Sequence, residues 1–141
     1  MANPSKLRVN HLLCSGCRAC QVACVAYHEG RFGIALARLR VVKDEARGLD
    51  RPHVCRGCRP APCLAACPES ALYRDESTGA VLVRLDAGDE PACTGCGACV
   101  EACPFEMIAL HPETGTALIC DLCGGDPACV QRCATGAICY V

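Results

Sequence analysis

Sixteen of the 17 cysteines in this 141-residue chain fall into four tight groups, and that crowding limits the fold more than any apolar pattern does. The groups are "CSGCRACQVAC" (Cys14, Cys17, Cys20, Cys24), "CRGCRPAPCLAAC" (Cys55, Cys58, Cys63, Cys67), "CTGCGACVEAC" (Cys93, Cys96, Cys99, Cys103) and "CDLCGGDPACVQRC" (Cys120, Cys123, Cys129, Cys133); Cys139 stands alone. The remaining core material is thin, with no Trp, two Phe and three Tyr. A chain so built is stapled by disulfides or by metal. The opening "MANPSKLRVNHLL" lacks the apolar run and cleavage site of a secretory leader, so the expected compartment is the cytoplasm, where thiols stay reduced. No segment approaches the ~18 apolar residues of a membrane span. The net charge of −1 says little about nucleic acid, but the basic residues are scattered and form no stripe, so no nucleic-acid partner is expected.

The groups sit in an internal repeat. Cys67 is followed by "PESALYRDESTGAVLV" and Cys103 by "PFEMIALHPETGTALI", with Pro first and Thr-Gly eleventh and twelfth in both. Leu72 matches Ile108, and Leu82 matches Leu118. The pairs Thr78-Gly79 and Thr114-Gly115 lie between short apolar runs, which predicts two β-hairpins. After Cys133, "ATGAICYV" places Ile138 in the position of Leu72 and Ile108. Each repeat therefore reads as a cysteine loop, a short helical turn and a strand. The first is looser: "CQVACVAYHEG" predicts a longer helix stopped at Gly30, residues 35–42 a strand and residues 43–53 a linker. The early "LRV" is expected to pair near "AICYV".

Three thiols on one short loop can wrap three corners of an iron–sulfur cubane, but the helical turn carries the fourth cysteine away. The fourth ligand then comes from another group, as in two-cluster ferredoxins. Sixteen cysteines so arranged fit four [4Fe-4S] clusters, with no group short of a ligand and so none marked as a [3Fe-4S] centre. Structural zinc instead uses two C-x2-C pairs across a longer loop for one tetrahedron. Four cysteines within 11–14 residues, four times over, do not follow that plan. Proline follows Cys67 and Cys103, whereas Val25 follows Cys24 and Ala134 follows Cys133; this pairs groups two and three, and groups one and four.

The four groups, with "ALYRDESTGAVLV", "CGACVEACPF" and "CDLC" followed by "PACVQRC", resemble the four-cluster ferredoxin-like electron-transfer subunits of molybdenum and tungsten oxidoreductases and of some hydrogenases and formate dehydrogenases. The opening "LRVNHLLCSGCRACQVACVAYHEGRF" is similar to the small subunit of tungsten aldehyde oxidoreductases. The resemblance implies an α+β fold of two nested ferredoxin-like units with short helices and small antiparallel sheets. Residues 1–50 plus 114–141 would form the outer unit and 51–113 the inner one. It implies a ligand exchange within each unit. Cys14, Cys17, Cys20 and Cys133 would hold one cluster, and Cys120, Cys123, Cys129 and Cys24 its partner. Cys55, Cys58, Cys63 and Cys103 would hold the third, and Cys93, Cys96, Cys99 and Cys67 the fourth. The implied role is electron transfer without catalysis by the chain itself. Its implied partners are a large molybdenum or tungsten subunit, a flavin or other acceptor subunit, and further copies of the chain. A free-standing soluble polyferredoxin is the alternative. The short gap from Cys123 to Cys129 and the lack of insertions depart from larger relatives, so no membrane-anchor docking loop is expected.

Four clusters at about −2 each, with their thiolates, would make the loaded protein strongly acidic. Arg18, Arg56, Arg59 and Arg132 lie beside ligands and are candidates to offset that charge or to be ordinary surface arginines. Cys139 reads as a buried strand residue. His11, His28, His53 and His111 are not needed as ligands, and Tyr27 and Phe105 read as cluster shields. No Ser-His-Asp set, phosphate-binding glycine loop or radical-SAM motif is present.

Overall fold

Each of the four helices starts inside a cysteine group. The computed structural model describes residues 6–86, 88 and 90–141; the first five residues of the segment read above for a leader lie outside them. α1 (Ala19–Glu29) is the long one, and Gly30 ends it in a left-handed conformation at φ 65, donating its N–H to the Ala26 carbonyl. α2 (Pro62–Ala66), α3 (Ala98–Ala102) and α4 (Ala128–Arg132) are single turns, and the residue that caps each is the last cysteine of its group: Cys67, Cys103 or Cys133. α1 packs on α4 and α2 on α3.

Among the described residues, eight strands form four two-stranded antiparallel sheets. β1 (Leu7–Val9) pairs with β8 (Ile138–Tyr140), with Leu7 opposite Tyr140 and Val9 opposite Ile138, so the expected meeting of "LRV" and "AICYV" is found. β4 (Leu72–Arg74) and β5 (Val81–Val83) form the first Thr-Gly hairpin, and β6 (Ala109–Leu110) and β7 (Ala117–Leu118) the second. The Asp75 carboxylate holds the first turn, accepting from the Thr78 hydroxyl at 2.6 Å and the Ser77 hydroxyl at 2.8 Å. His111 takes over this task in the second: its Nδ1 accepts from the N–H groups of Glu113 (3.1 Å) and Thr114 (3.3 Å). Its Nε2–H is left to donate to buried-side Glu29 at 3.2 Å.

Three expectations are corrected. Residues 43–53 are not a linker, because β2 (Arg40–Asp44) and β3 (Leu49–His53) pair along their full length across a turn at 45–48. The strand expected at 35–42 begins only at Arg40. Val41 and Pro52 face each other in register on the buried side of this hairpin while charged neighbours point outward, so a half-buried polar ribbon looks like a linker in sequence. Cys139 is exposed, because strand alternation turns Ile138 inward at 2% exposure and its neighbour out.

The apolar interior comes as two clusters. One joins Leu7, Leu39, Val41, Val54, Leu122 and Ile138 with Cys20, Cys24 and Cys129. The other joins Ala61, Leu72, Val81, Ile108, Ala117 and Ile119 with Cys99. The chain is thus α+β, with short helices and small antiparallel sheets arranged around cysteine sites.

Candidate metal centres

All 17 cysteines are free thiols. The structure draws cysteines of two groups together at three clefts and sets Cys67 and Cys93 near Cys99. Cys14, Cys17 and Cys20 line a narrow cleft of about 20 Å³ with Cys133. Cys120, Cys123 and Cys129 line another of about 20 Å³ with Cys24. Cys55, Cys58 and Cys63 line an open cavity of about 360 Å³ with Cys103. In the last set, the Cys99 thiol is raised by burial and by the nearby thiols of Cys93 and Cys67.

The sets adjoin one another in a row. Cys55 and Cys120 line both the second and third sites, and the Cys20 thiol acts electrostatically on Cys129, linking the first to the second. The packed helices α2 and α3 carry the cysteines that link the third to the fourth.

The donor geometry bears on the metal. A tetrahedral zinc site with Zn–S of about 2.3 Å holds its sulfurs about 3.8 Å apart. Among the described residues, no four cysteines converge within 4.8 Å of one another. A cubane, with one thiolate on each of four irons, spreads its sulfurs wider than a single zinc ion does. The group that does converge within 4.8 Å is His28, Asp121 and Cys123, and hydrogen bonding accounts for it.

Burial pushes the thiols up, to about 11 at Cys20 and about 12 at Cys129, and also raises Cys55, Cys63, Cys120 and Cys123. Such thiols hold their protons at neutral pH, so binding metal there means releasing protons. Cys133 is the exception. Burial opposes its ionisation, but the Ile138, Ala137 and Thr135 N–H groups and the Thr135 hydroxyl hold it below the usual thiol value. Backbone N–H groups also reach sulfur at Cys14 from Gly16 (3.4 Å), at Cys24 from Arg38 (3.3 Å), at Cys67 from Ala71 (3.4 Å) and at Cys103 from Met107 (3.4 Å). Hydrogen bonds of this kind to cluster sulfurs tune reduction potential.

Sequence reasoning missed the side-chain network beside the second set. His28 Nδ1 donates to the Cys24 carbonyl at 2.9 Å and Nε2 donates to Asp121 Oδ1 at 2.9 Å. Asp121 accepts from the Cys123 N–H at 2.8 Å, and Arg38 approaches it at 3.6 Å. Burial alone would lower His28, but its bonds to Asp121 and Cys24 hold it up at about 9. No spacing rule could find this network, because His28 and Asp121 lie 93 residues apart.

The other singled-out residues are placed as follows. Arg18 lines the first cleft, whereas Arg56 and Arg59 line the open cavity. Arg132 lies exposed at the end of α4. Arg56 lies over the Phe105 ring at 4.8 Å, and Tyr27 donates its hydroxyl to the Cys123 carbonyl at 3.3 Å. His53 sits below its ordinary value, through burial and the crowding of Arg40, Arg56 and Arg51. Among the described residues, no helix is long and apolar enough to cross a membrane.

Comparison with known proteins points the same way. The family described as "4Fe-4S dicluster domain" matches residues 46–141. The polyferredoxin-like subunit of an aliphatic sulfonate oxidoreductase from Pyrococcus furiosus is 46% identical over 85 residues, covering 60% of this chain and 46% of that protein. Electron transport protein HydN of Escherichia coli is 34% identical over 90 residues, covering 59% of this chain and 46% of that protein. The chain thus spans under half the length of these relatives. Among solved structures, a chain of the active site complex BamBC of benzoyl coenzyme A reductase superposes with a TM-score of 0.55 at 27% identity, over 97% of this chain and 77% of that one. One relative is named as a polyferredoxin-like subunit and the other as an electron transport protein, in line with the expectation of a carrier that is not itself the catalyst.

Proposed function

Because this chain belongs to the 4Fe-4S dicluster family, we propose that it is a cytoplasmic electron-transfer subunit holding four [4Fe-4S] clusters in a row. The observation that carries this reading is the row of mixed cysteine sets. Cys14, Cys17, Cys20 and Cys133 form the first, and Cys24, Cys120, Cys123 and Cys129 the second. Cys55, Cys58, Cys63 and Cys103 form the third; Cys67 and Cys93 near Cys99 support a fourth, to which Cys96 is assigned from its place in "CTGCGACVEAC". Bound clusters would supply one-electron transfer and no bond chemistry. The chain's own residues present thiolates, aim N–H groups at sulfur, and cover the outer sets with α1 and α4. The outer unit would be 1–50 with 114–141, and the inner unit 51–113.

The partner proposed is a large molybdenum- or tungsten-bearing oxidoreductase subunit of the aldehyde-oxidising class, with a flavin subunit or an external carrier as acceptor. Similarity to a polyferredoxin-like subunit of another oxidoreductase supports a subunit over a free polyferredoxin. HydN keeps a hydrogenase or formate dehydrogenase partner as a second reading. Native purification with metal analysis tests both levels. About 16 iron and 16 sulfide per chain are expected, together with a co-purifying tungsten or molybdenum chain. Four zincs without sulfide would end the electron-transfer reading. A loaded monomer that captures no such chain from native extract would end the subunit reading.

A further inference from the structure

The open third site lies beside a ridge of cations that no carboxylate among the described residues pairs with. Arg40, Arg51 and Arg56 crowd around His53, and Arg51, His53 and Arg56 line a groove of about 270 Å³. Arg56 also lines the cavity of about 360 Å³ that holds Cys55, Cys58, Cys63 and Cys103, together with Arg59 and Lys6. The two hollows therefore meet at one guanidinium. Lys6, Arg51, Arg56 and Arg59 are exposed. Among the described residues, none of these five cations has a carboxylate within ion-pair distance, whereas Arg31, Arg38, Lys43, Arg47 and Arg84 each have one. Two of the five are positioned without being neutralised: Arg56 by the Phe105 ring and Arg40 by the backbone carbonyl of Glu106.

Charge balance separates two explanations. Neutralising one cluster needs about two positive charges, and the ridge offers more. At ~0.1 M salt the screening length is about 10 Å, so the distant clusters do not cancel this local surplus for an approaching molecule. We propose that the ridge is the docking surface for an acidic redox protein, which exchanges single electrons with the set formed by Cys55, Cys58, Cys63 and Cys103. The proposal rests on the electron-transfer reading above. The reduced partner's centre loses one electron and the oxidised site gains it, or the reverse, with no atom or proton transferred.

Stopped-flow mixing of the full cluster-loaded chain with a reduced, strongly acidic plant-type [2Fe-2S] ferredoxin tests it. The second-order rate is expected to fall about tenfold or more between ~0.1 and ~0.5 M salt, where the screening length stays at or below about 10 Å. The combined variant Arg51→Gln, Arg56→Gln, Arg59→Gln should lose about tenfold at low salt and most of the salt dependence. Arg31→Gln with Arg47→Gln, outside the ridge, should match the parent. A flat salt profile for the parent, equal loss in the control, or faster reaction with cationic cytochrome c at low salt would each overturn the proposal. So would RNA or anionic phosphatidylserine vesicles that bind the chain and block the ferredoxin reaction. Iron and sulfide counts on the same samples keep the two levels apart. Absent clusters defeat the electron-transfer reading, and loaded clusters with a flat profile defeat docking alone.

Discussion

The second site and the third site use the same cysteine plan but differ in how far they are enclosed. Around the second set, Cys24 and Cys129 are each 6% exposed and the cleft is about 20 Å³; the first set has a cleft as small but leaves Cys17 exposed. Around Cys55, the walls stand back to a cavity of about 360 Å³. Helix length accounts for much of this. The 11 residues of α1 carry Cys24 well inside and extend to His28 and Tyr27, which tie the helix to the 121–123 loop. The five-residue α2 stops at Cys67 before it can cover anything. A few extra helical residues decide whether a thiol set is insulated or reachable from solvent.

Loss of a shared ligand should have the largest effect. Cys133→Ser should remove about four irons per chain, from the set of Cys14, Cys17 and Cys20 on another part of the sequence. Cluster-resolved EPR and iron counts would check this, and loss confined to the Cys120, Cys123 and Cys129 set would refute the exchange.

Next come two equivalent glycines, Gly16 in "CSGC" and Gly95 in "CTGC". Both are left-handed, at φ +73 and +78. A Cβ on Gly16 would meet the movable Asp50 carboxylate, but one on Gly95 would land on the backbone carbonyl oxygen of Gly115. Gly16→Ala should cost about 1–2 kcal/mol. Gly95→Ala should cost about 2–5 kcal/mol. Urea titrations of the loaded protein, followed by cluster absorbance, would rank them, and equal costs would break the comparison.

His28→Gln should cost about 1.5–3 kcal/mol, as loss of charged hydrogen bonds does. The folded imidazole lies near 9 and the free one at 6.5. The parent's advantage should therefore be full below 6.5 and fade as pH rises through about 9. Stability curves at several pH values would check the sign, and an advantage that grew with pH would contradict the assignment. Smallest of all, Cys139→Ser on the exposed face of β8 should change stability by no more than about 0.5 kcal/mol and leave iron unchanged.

Much of the fold was legible because its signals are local. The Thr-Gly pairs announced both hairpins, and Gly30 announced the end of α1. The cysteine spacing announced iron over zinc. The β2–β3 hairpin was not legible, because Lys43, Asp44, Asp50 and Arg51 read as solvent-facing chain while only Val41 and Pro52 mark its buried side. The His28–Asp121 bond was illegible for a different reason: its partners lie 93 residues apart and meet only after the cysteine loops are folded. The cation ridge was illegible because Arg40 comes beside His53 only through the pairing of β2 with β3.

The pairing of β1 with β8 also bears on how the protein is made. Residues 7–9 leave the ribosome early but have no strand to pair with until residues 138–140 follow. The second apolar cluster needs nothing beyond Ile119. At synthesis rates of about 5–20 residues per second, it can assemble roughly 1–4 s before the outer half can close. On the proposed ligand exchange, Cys14, Cys17 and Cys20 therefore wait longest for Cys133, and they are the ones most in need of protection during synthesis.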